Sequence, residues 1–168
     1  MATGREMKLT GATGEFLVAA ELCRLGLIAT PFAGNVPHYD IIASGQSGGH
    51  LAIQVKTINK STWQFDIRNF MHVDFDGKRQ ISGTAKPIPY PNLQVVLVAL
   101  ANSSRLKDRF FVMSWIELRN LLNRNYRRYL RKHNGMRPKA PGSFHTALSD
   151  NSVIAFKDRW EALIEALR

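Results

Sequence analysis

Tyr39-Asp40-Ile-Ile-Ala43 and Leu51-Ala-Ile-Gln54-Val-Lys56-Thr57 are two strand-prone runs joined by the glycine-rich Ser44-Gly-Gln-Ser-Gly-Gly-His50, and together they read as a β-hairpin. Side chains alternate along a strand, so Leu51, Ile53 and Val55 point one way while Ala52, Gln54 and Lys56 point the other. The apolar row goes to a core. The second row sets an amide and an ammonium group side by side above a small alanine. An antiparallel pairing that turns near residues 45–49 puts Asp40 about opposite Gln54, where cross-strand Cβ atoms lie roughly 4.5–5.5 Å apart. A slip of one residue would turn Asp40 away.

Asp40 is the only acidic residue between Glu21 and Asp66. A carboxylate, an amide oxygen and an ammonium on one face are parts of metal-assisted phosphodiester hydrolysis. Mg²⁺ binds hard oxygens, keeps several waters and often takes only one or two carboxylates. Asp40 can supply a carboxylate, and Gln54 or a strand carbonyl a neutral ligand. Lys56 can orient the attacking water and offset charge on the phosphate. The same Gln and Lys on a half-exposed strand also fit a plain solvated face.

Upstream, Gly11 to Leu25 reads as a helix, with Phe16, Ala19, Ala20 and Leu22 to Leu25 at helical spacing, Thr10 or Thr13 as cap and Gly26 as stop. Leu27 to Phe32 reads as a short strand and Ala33 to Pro37 as a turn. Downstream, Trp63 to Ile67 suggests another strand, and Phe70 to Asn92, with its Pro87-Ile-Pro-Tyr-Pro91, an irregular loop. Leu93 to Leu100 has the continuous apolar character of a central strand, and Arg109 to Met113 that of its neighbour. Ser114-Trp-Ile-Glu117 is a capping-box pattern opening a helix to about Lys132. A Gly-, Pro- and base-rich loop, the short Val153 to Phe156 and an amphipathic helix from Lys157 to Leu167 complete the chain. This order predicts an α/β fold in which helices flank a mixed sheet.

The 168 residues suit one domain, 1–168, with core motifs in 11–57 and a basic helical part in 114–168. A net charge of +10 favours polyanionic partners. The longest wholly apolar run, Val95 to Ala101, is too short to span a bilayer and no signal-peptide pattern opens the chain, so a soluble, cytoplasmic protein is expected. The single cysteine, Cys23, excludes an internal disulfide and is expected as a buried hydrophobe. The five histidines lack zinc-ligand spacing.

Gly14-Glu15-Phe-Leu-Val-Ala-Ala-Glu21-Leu-Cys-Arg-Leu-Gly26, Tyr39-Asp40-Ile-Ile and Ile53-Gln54-Val-Lys56-Thr resemble the core of the PD-(D/E)xK nuclease superfamily. The resemblance is to its glutamine-containing branch, as in Mrr-type restriction endonucleases, and in size to single-domain Holliday junction resolvases. It implies a restriction-endonuclease-like sheet and a Mg²⁺- or Mn²⁺-dependent endonuclease acting on DNA, branched DNA included. Asp40 matches the metal-binding aspartate, Gln54 the variable acidic or glutamine position, Lys56 the lysine, and Glu15 the first-helix acid that reaches the metal directly or through water. Tyr39 stands where the family name has proline, and Gln54 removes one negative charge. Related nucleases often work as homodimers. A catalytically silent nucleic-acid-binding module is the alternative, and RNA is a further ligand class. Glu21, six residues from Glu15, is assigned to a surface ion pair.

On the helix from Trp115, Trp115, Leu118, Leu122, Tyr126 and Tyr129 form a core-facing stripe, with Arg124, Arg127, Arg128 and Arg131 opposite. The four arginines are the expected nucleic-acid-backbone contacts. Asp74-Phe-Asp76-Gly77 reads as a turn, and Trp63 and Phe65 as core or sheet packing. Lys78, Arg79 and Lys86 are candidates to overhang a substrate groove.

Overall fold

The computed structural model describes residues 3–32 and 37–167, and most of the expected 33–37 turn lies outside them. A five-stranded sheet has the order β1 (Ile28–Pro31), β2 (Ile41–Ser44), β3 (His50–Ile58), β7 (Gln94–Ala99), β8 (Arg109–Ser114). Only β3 and β7 run parallel. Every residue of β7 is buried, as its unbroken apolar run requires of a strand covered on both faces.

Helices lie on both sides of this sheet. α1 (Gly4–Arg24) and α4 (Glu161–Ala166) cover one face, where Val18, Leu22 and Leu163 meet Ile41, Leu51, Ile53, Val55, Val96, Val98 and Val112. The other face carries α2 (Trp115–Lys132). Its Leu118, Leu122 and Tyr126 join Ala52, Val95, Leu97, Phe111 and Met113 in a second core. Two small antiparallel sheets complete this layer: β4 (Thr62–Asp66) with β9 (His145–Ser149), and the hairpin of β5 (Met71–Asp76) with β6 (Arg79–Ala85).

The mixed sheet and its flanking helices match the sequence expectation, with several differences of detail. α1 starts earlier than Gly11, because Thr3-Gly-Arg-Glu6 forms a reciprocal capping box. The Thr3 Oγ1 accepts from the Glu6 N–H at 3.2 Å, and the Glu6 carboxylate accepts from the Thr3 N–H at 2.6 Å. Gly26 ends the helix in the left-handed region at φ +82°. The buried side of α1 is Gly14, Val18, Ala19 and Leu22, leaving Phe16, Ala20 and Cys23 exposed. Cys23 is thus not a core residue. Glu21 does pair with Arg24, at 3.0 Å.

The expected irregular loop at 70–92 holds the β5–β6 hairpin, which turns through Gly77 at φ +59°. The turn expected at 74–77 is therefore confined to its end, with Asp74 and Asp76 on β5. The strand at Trp63 pairs with β9, hidden within the base-rich loop, instead of with the main sheet. Near the end of the chain, α3 (Asp150–Val153) and a 3-10 turn occupy 150–156, and α4 is only six residues long. No helix among the described residues is long and apolar enough to cross a membrane.

Candidate active site

β2 and β3 pair with Ile41 opposite Ile53 and Ile42 opposite Ala52. Continuing that register by one residue places Asp40 across from Gln54, on the face expected from the alternation. The backbone agrees, since the Asp40 N–H donates to the Ile53 carbonyl at 2.9 Å. β2 pairs with β3 only up to this point, while β3 runs on to Ile58. The Val55 N–H on that open edge therefore lacks a strand partner. Asp40 Oδ2 accepts from it at 2.7 Å. Strand alternation leaves the Val55 carbonyl on the same edge. One oxygen of Asp40 is thus committed to the sheet and the other is left for a ligand.

Aromatic packing holds the Asp40 turn. Tyr39 meets Phe32 edge to face with ring centroids 5.5 Å apart, and Tyr90 at 5.1 Å. The Phe32 N–H donates to the Asp40 carbonyl at 3.0 Å. Tyr90 comes from the Pro-rich segment, so that segment clamps the flank of the site. Nothing in the spacing of Tyr39 and Tyr90 could have shown this, because the chain path between them is long.

Glu15 reaches the site because α1 packs unusually closely on β3. A Cβ built on Gly14 would lie 1.8 Å from Thr57 Oγ1, an impossible distance, so only glycine fits there. Asp40 is the charged neighbour that raises the Glu15 carboxyl above its usual range, after the larger effect of burial. Asp40 is itself raised by burial, against the opposing pull of the Val55 N–H and the Lys56 ammonium. Glu15, Asp40 and Lys56 therefore share one electrostatic neighbourhood. Gln54 and Lys56 are both half-buried on β3, and Lys56 Nζ stands 5.8 Å from the Phe65 ring centroid.

Apart from the Lys56 ammonium, the polar groups offered here are oxygens, the donor type a hard divalent cation prefers. Two partly desolvated carboxylates, one of which raises the proton affinity of the other, are stabilised by positive charge placed between them. The Gln54 amide oxygen and the Val55 carbonyl are the neutral donors within the same segment. Among the described residues no group of three or more His, Cys, Asp or Glu could hold a metal, so a cation here would depend on those neutral oxygens.

The four arginines expected as backbone contacts stay together on α2. Arg124, Arg128 and Arg131 are exposed, while Arg127 is half-buried and donates to the Gly83 carbonyl at 2.8 Å. Trp63 and Phe65 are buried core residues, as expected. No family model matches the sequence, and no curated protein matches it in sequence. A solved structure does match in fold: a bacterial homing endonuclease, I-Ssp6803I, with a TM-score of 0.51 over 94% of this chain and 93% of that one, at 12% identity. The chain shares its fold with a nuclease. Similarity at this identity speaks for the fold alone, and it covers nearly the whole of both chains.

Proposed function

We propose that the protein is a divalent-metal-dependent endonuclease that hydrolyses phosphodiester bonds in DNA, built on the glutamine-containing variant of the PD-(D/E)xK site. The observation that carries this reading is the meeting of Glu15, Asp40 and Lys56 at the open edge of β3, within a fold shared with an endonuclease. Asp40, Glu15 and the Gln54 amide oxygen would hold Mg²⁺ or Mn²⁺. Bound there, the cation would polarise a phosphoryl oxygen and make an attacking water more acidic. Lys56 lies close enough to Asp40 to lower its proton affinity, so its ammonium can orient that water and oppose negative charge growing on the phosphorus. Asp40 has a second task, since its Val55 hydrogen bond fixes the end of the β2–β3 pairing and so the orientation of the site.

The test is incubation of the purified chain with supercoiled, linear, single-stranded and branched DNA, and with RNA, in Mg²⁺, Mn²⁺ or EDTA. Cleavage is expected with metal and absent in EDTA. Lys56→Ala is expected to slow it about 10²–10³-fold, the usual cost of removing one electrostatic stabiliser from a preorganised site. Cleavage by Lys56→Ala at the wild-type rate would sink the catalytic role. A binding module without hydrolytic activity is the second reading, favoured by the amide at Gln54 where a third acid would strengthen metal binding. Retained DNA binding with no cleavage in any metal would select it.

A further inference from the structure

Away from Asp40, the β5–β6 hairpin and the C-terminal half of α2 border an open groove of about 580 Å³ lined by Arg79, Arg127 and Arg131. A second hollow of about 300 Å³ continues it along α2, shares Arg127 and Arg131, and adds Arg124, Asn120 and Asn123. None of these four arginines takes part in an ion pair among the described residues, where the six ion pairs use other cations. The acid in the lining is Asp76, across the hairpin from Arg79.

Two of the guanidinium groups are already held in place. Arg79 Nε donates to the Asn134 carbonyl at 3.0 Å, and the Arg127 group to Gly83 on β6. Each keeps further N–H donors for a ligand. The floor is equally fixed. Buried Gln80 donates to the Pro141 and Ser143 carbonyls at 2.6 and 3.1 Å and accepts from the Tyr126 hydroxyl, while its N–H donates to the Gly135 carbonyl at 2.8 Å. Gly135, at φ +78°, passes so close to β6 that a Cβ would come within 3.2 Å of the Gln80 carbonyl. The Asn123 Oδ1 under the second hollow is buried with no partner.

We propose that this groove between hairpin and helix is a phosphate-backbone site, taking consecutive phosphates of one nucleic-acid strand on Arg79, Arg131, Arg127 and Arg124. The idea rests on the nuclease reading and adds a second anchorage for the same polyanion. From Arg124 to Arg131 the helix rises about 10.5 Å, at about 1.5 Å per residue. Successive phosphates of one strand lie farther apart than the roughly 3.4 Å axial rise per nucleotide, because the backbone winds around the axis, and a span of this length reaches neighbouring phosphates of a strand. Arg128 does not belong to the site: it lines a separate depression with Leu121, Asn125 and Ser152, which Arg124 also borders. Arg79, from a different element, takes its place in the set.

The experiment is fluorescence anisotropy of a labelled DNA duplex from 0.1 to 1 M salt in EDTA, which excludes metal-dependent cleavage, with anionic phospholipid vesicles as a parallel arm. Arg79→Gln and Arg131→Gln are each expected to lower the slope of log K against log salt by about 0.9, which between 1 and 0.1 M is about an eightfold loss at the lower salt. Arg128→Gln is expected to bind as wild type. Arg131 makes no hydrogen bond through its side chain among the described residues, so its variant tests the site without disturbing the fold. An equal loss in Arg128→Gln, no loss in Arg131→Gln, or a loss seen only on vesicles would overturn the proposal. Slopes that depend on Arg79 and Arg131 in a protein that never cleaves would sink the catalytic reading and leave the groove standing; cleavage with unchanged slopes would do the reverse.

Discussion

At residue 14, a side chain as small as a methyl group has no room, because Thr57 already occupies the place. Gly14→Ala must push α1 off β3, and strain of this kind typically costs about 1–3 kcal/mol. It also carries Glu15 away from Asp40. The expected result is a lower Tm together with a loss of metal affinity greater than that of an equally destabilising variant elsewhere; equal losses would mean that Glu15 does not reach the cation. The two carboxylates make an opposite prediction for the metal-free protein. Folding raises the proton affinity of both, so the folded state holds more protons than the unfolded one, and stability falls as pH rises through and above the ordinary values of 3.8 for Asp40 and 4.5 for Glu15. In EDTA, Asp40→Asn is therefore expected to melt at or above the wild-type temperature at pH 7, with a smaller fall between pH 3 and 7, while losing metal binding. A variant that instead melts below the wild type at pH 7 would show that the Asp40 hydrogen bond to Val55 outweighs the cost of burying the carboxylate. For the wild type, metal affinity should decline on acidification from a pH above the usual aspartate range, since the cation needs both groups ionised.

Elements differ in how clearly they could be read before folding. The β2–β3 hairpin was legible because alternation and a glycine-rich turn fix its register together, and with it the Asp40, Gln54 and Lys56 face. The α2 start was legible from Ser114 and Glu117, whose reciprocal bonds are local. The β5–β6 hairpin was not, because its strands mix exposed charges with glycine and find their order through distant partners. Chief among these is buried Gln80, joined to Tyr126 on α2 and to the 141–143 segment. Sequence shows Gln80 only as one more polar residue. Tyr126→Phe removes the hydroxyl donor and leaves the Gln80 oxygen buried without it, at a cost of about 1–3 kcal/mol. Because the lost bond fastens the hairpin to the helix, hydrogen exchange should quicken in residues 71–85 more than in β3 or β7. Uniform acceleration across all strands would show that the network stabilises the fold without specifically holding the hairpin.

Across the whole molecule, the two cores share one wall. β3 and β7 send alternate residues into each core: Ile53, Val55, Val96 and Val98 meet α1, while Ala52, Val95 and Leu97 meet the α2 layer. Neither face can open without exposing the sheet that supports the other, and the site spans both sides, with Glu15 on α1 and Lys56 on the face toward α2. The chain is therefore expected to unfold in one cooperative step despite its three separate sheets. Tryptophan placement allows a direct check, since Trp63 and Trp115 lie in the α2-side core and Trp160 packs against the α1-side core. Trp160→Phe leaves fluorescence reporting on the α2-side core, and the double variant Trp63→Phe with Trp115→Phe leaves it reporting on the α1-side core. In each variant the urea midpoint from fluorescence should coincide with that from far-UV circular dichroism. Fluorescence midpoints that part from circular dichroism in opposite directions in the two variants would show that the faces unfold separately. Glu15 could then leave the site while the α2 layer stayed folded.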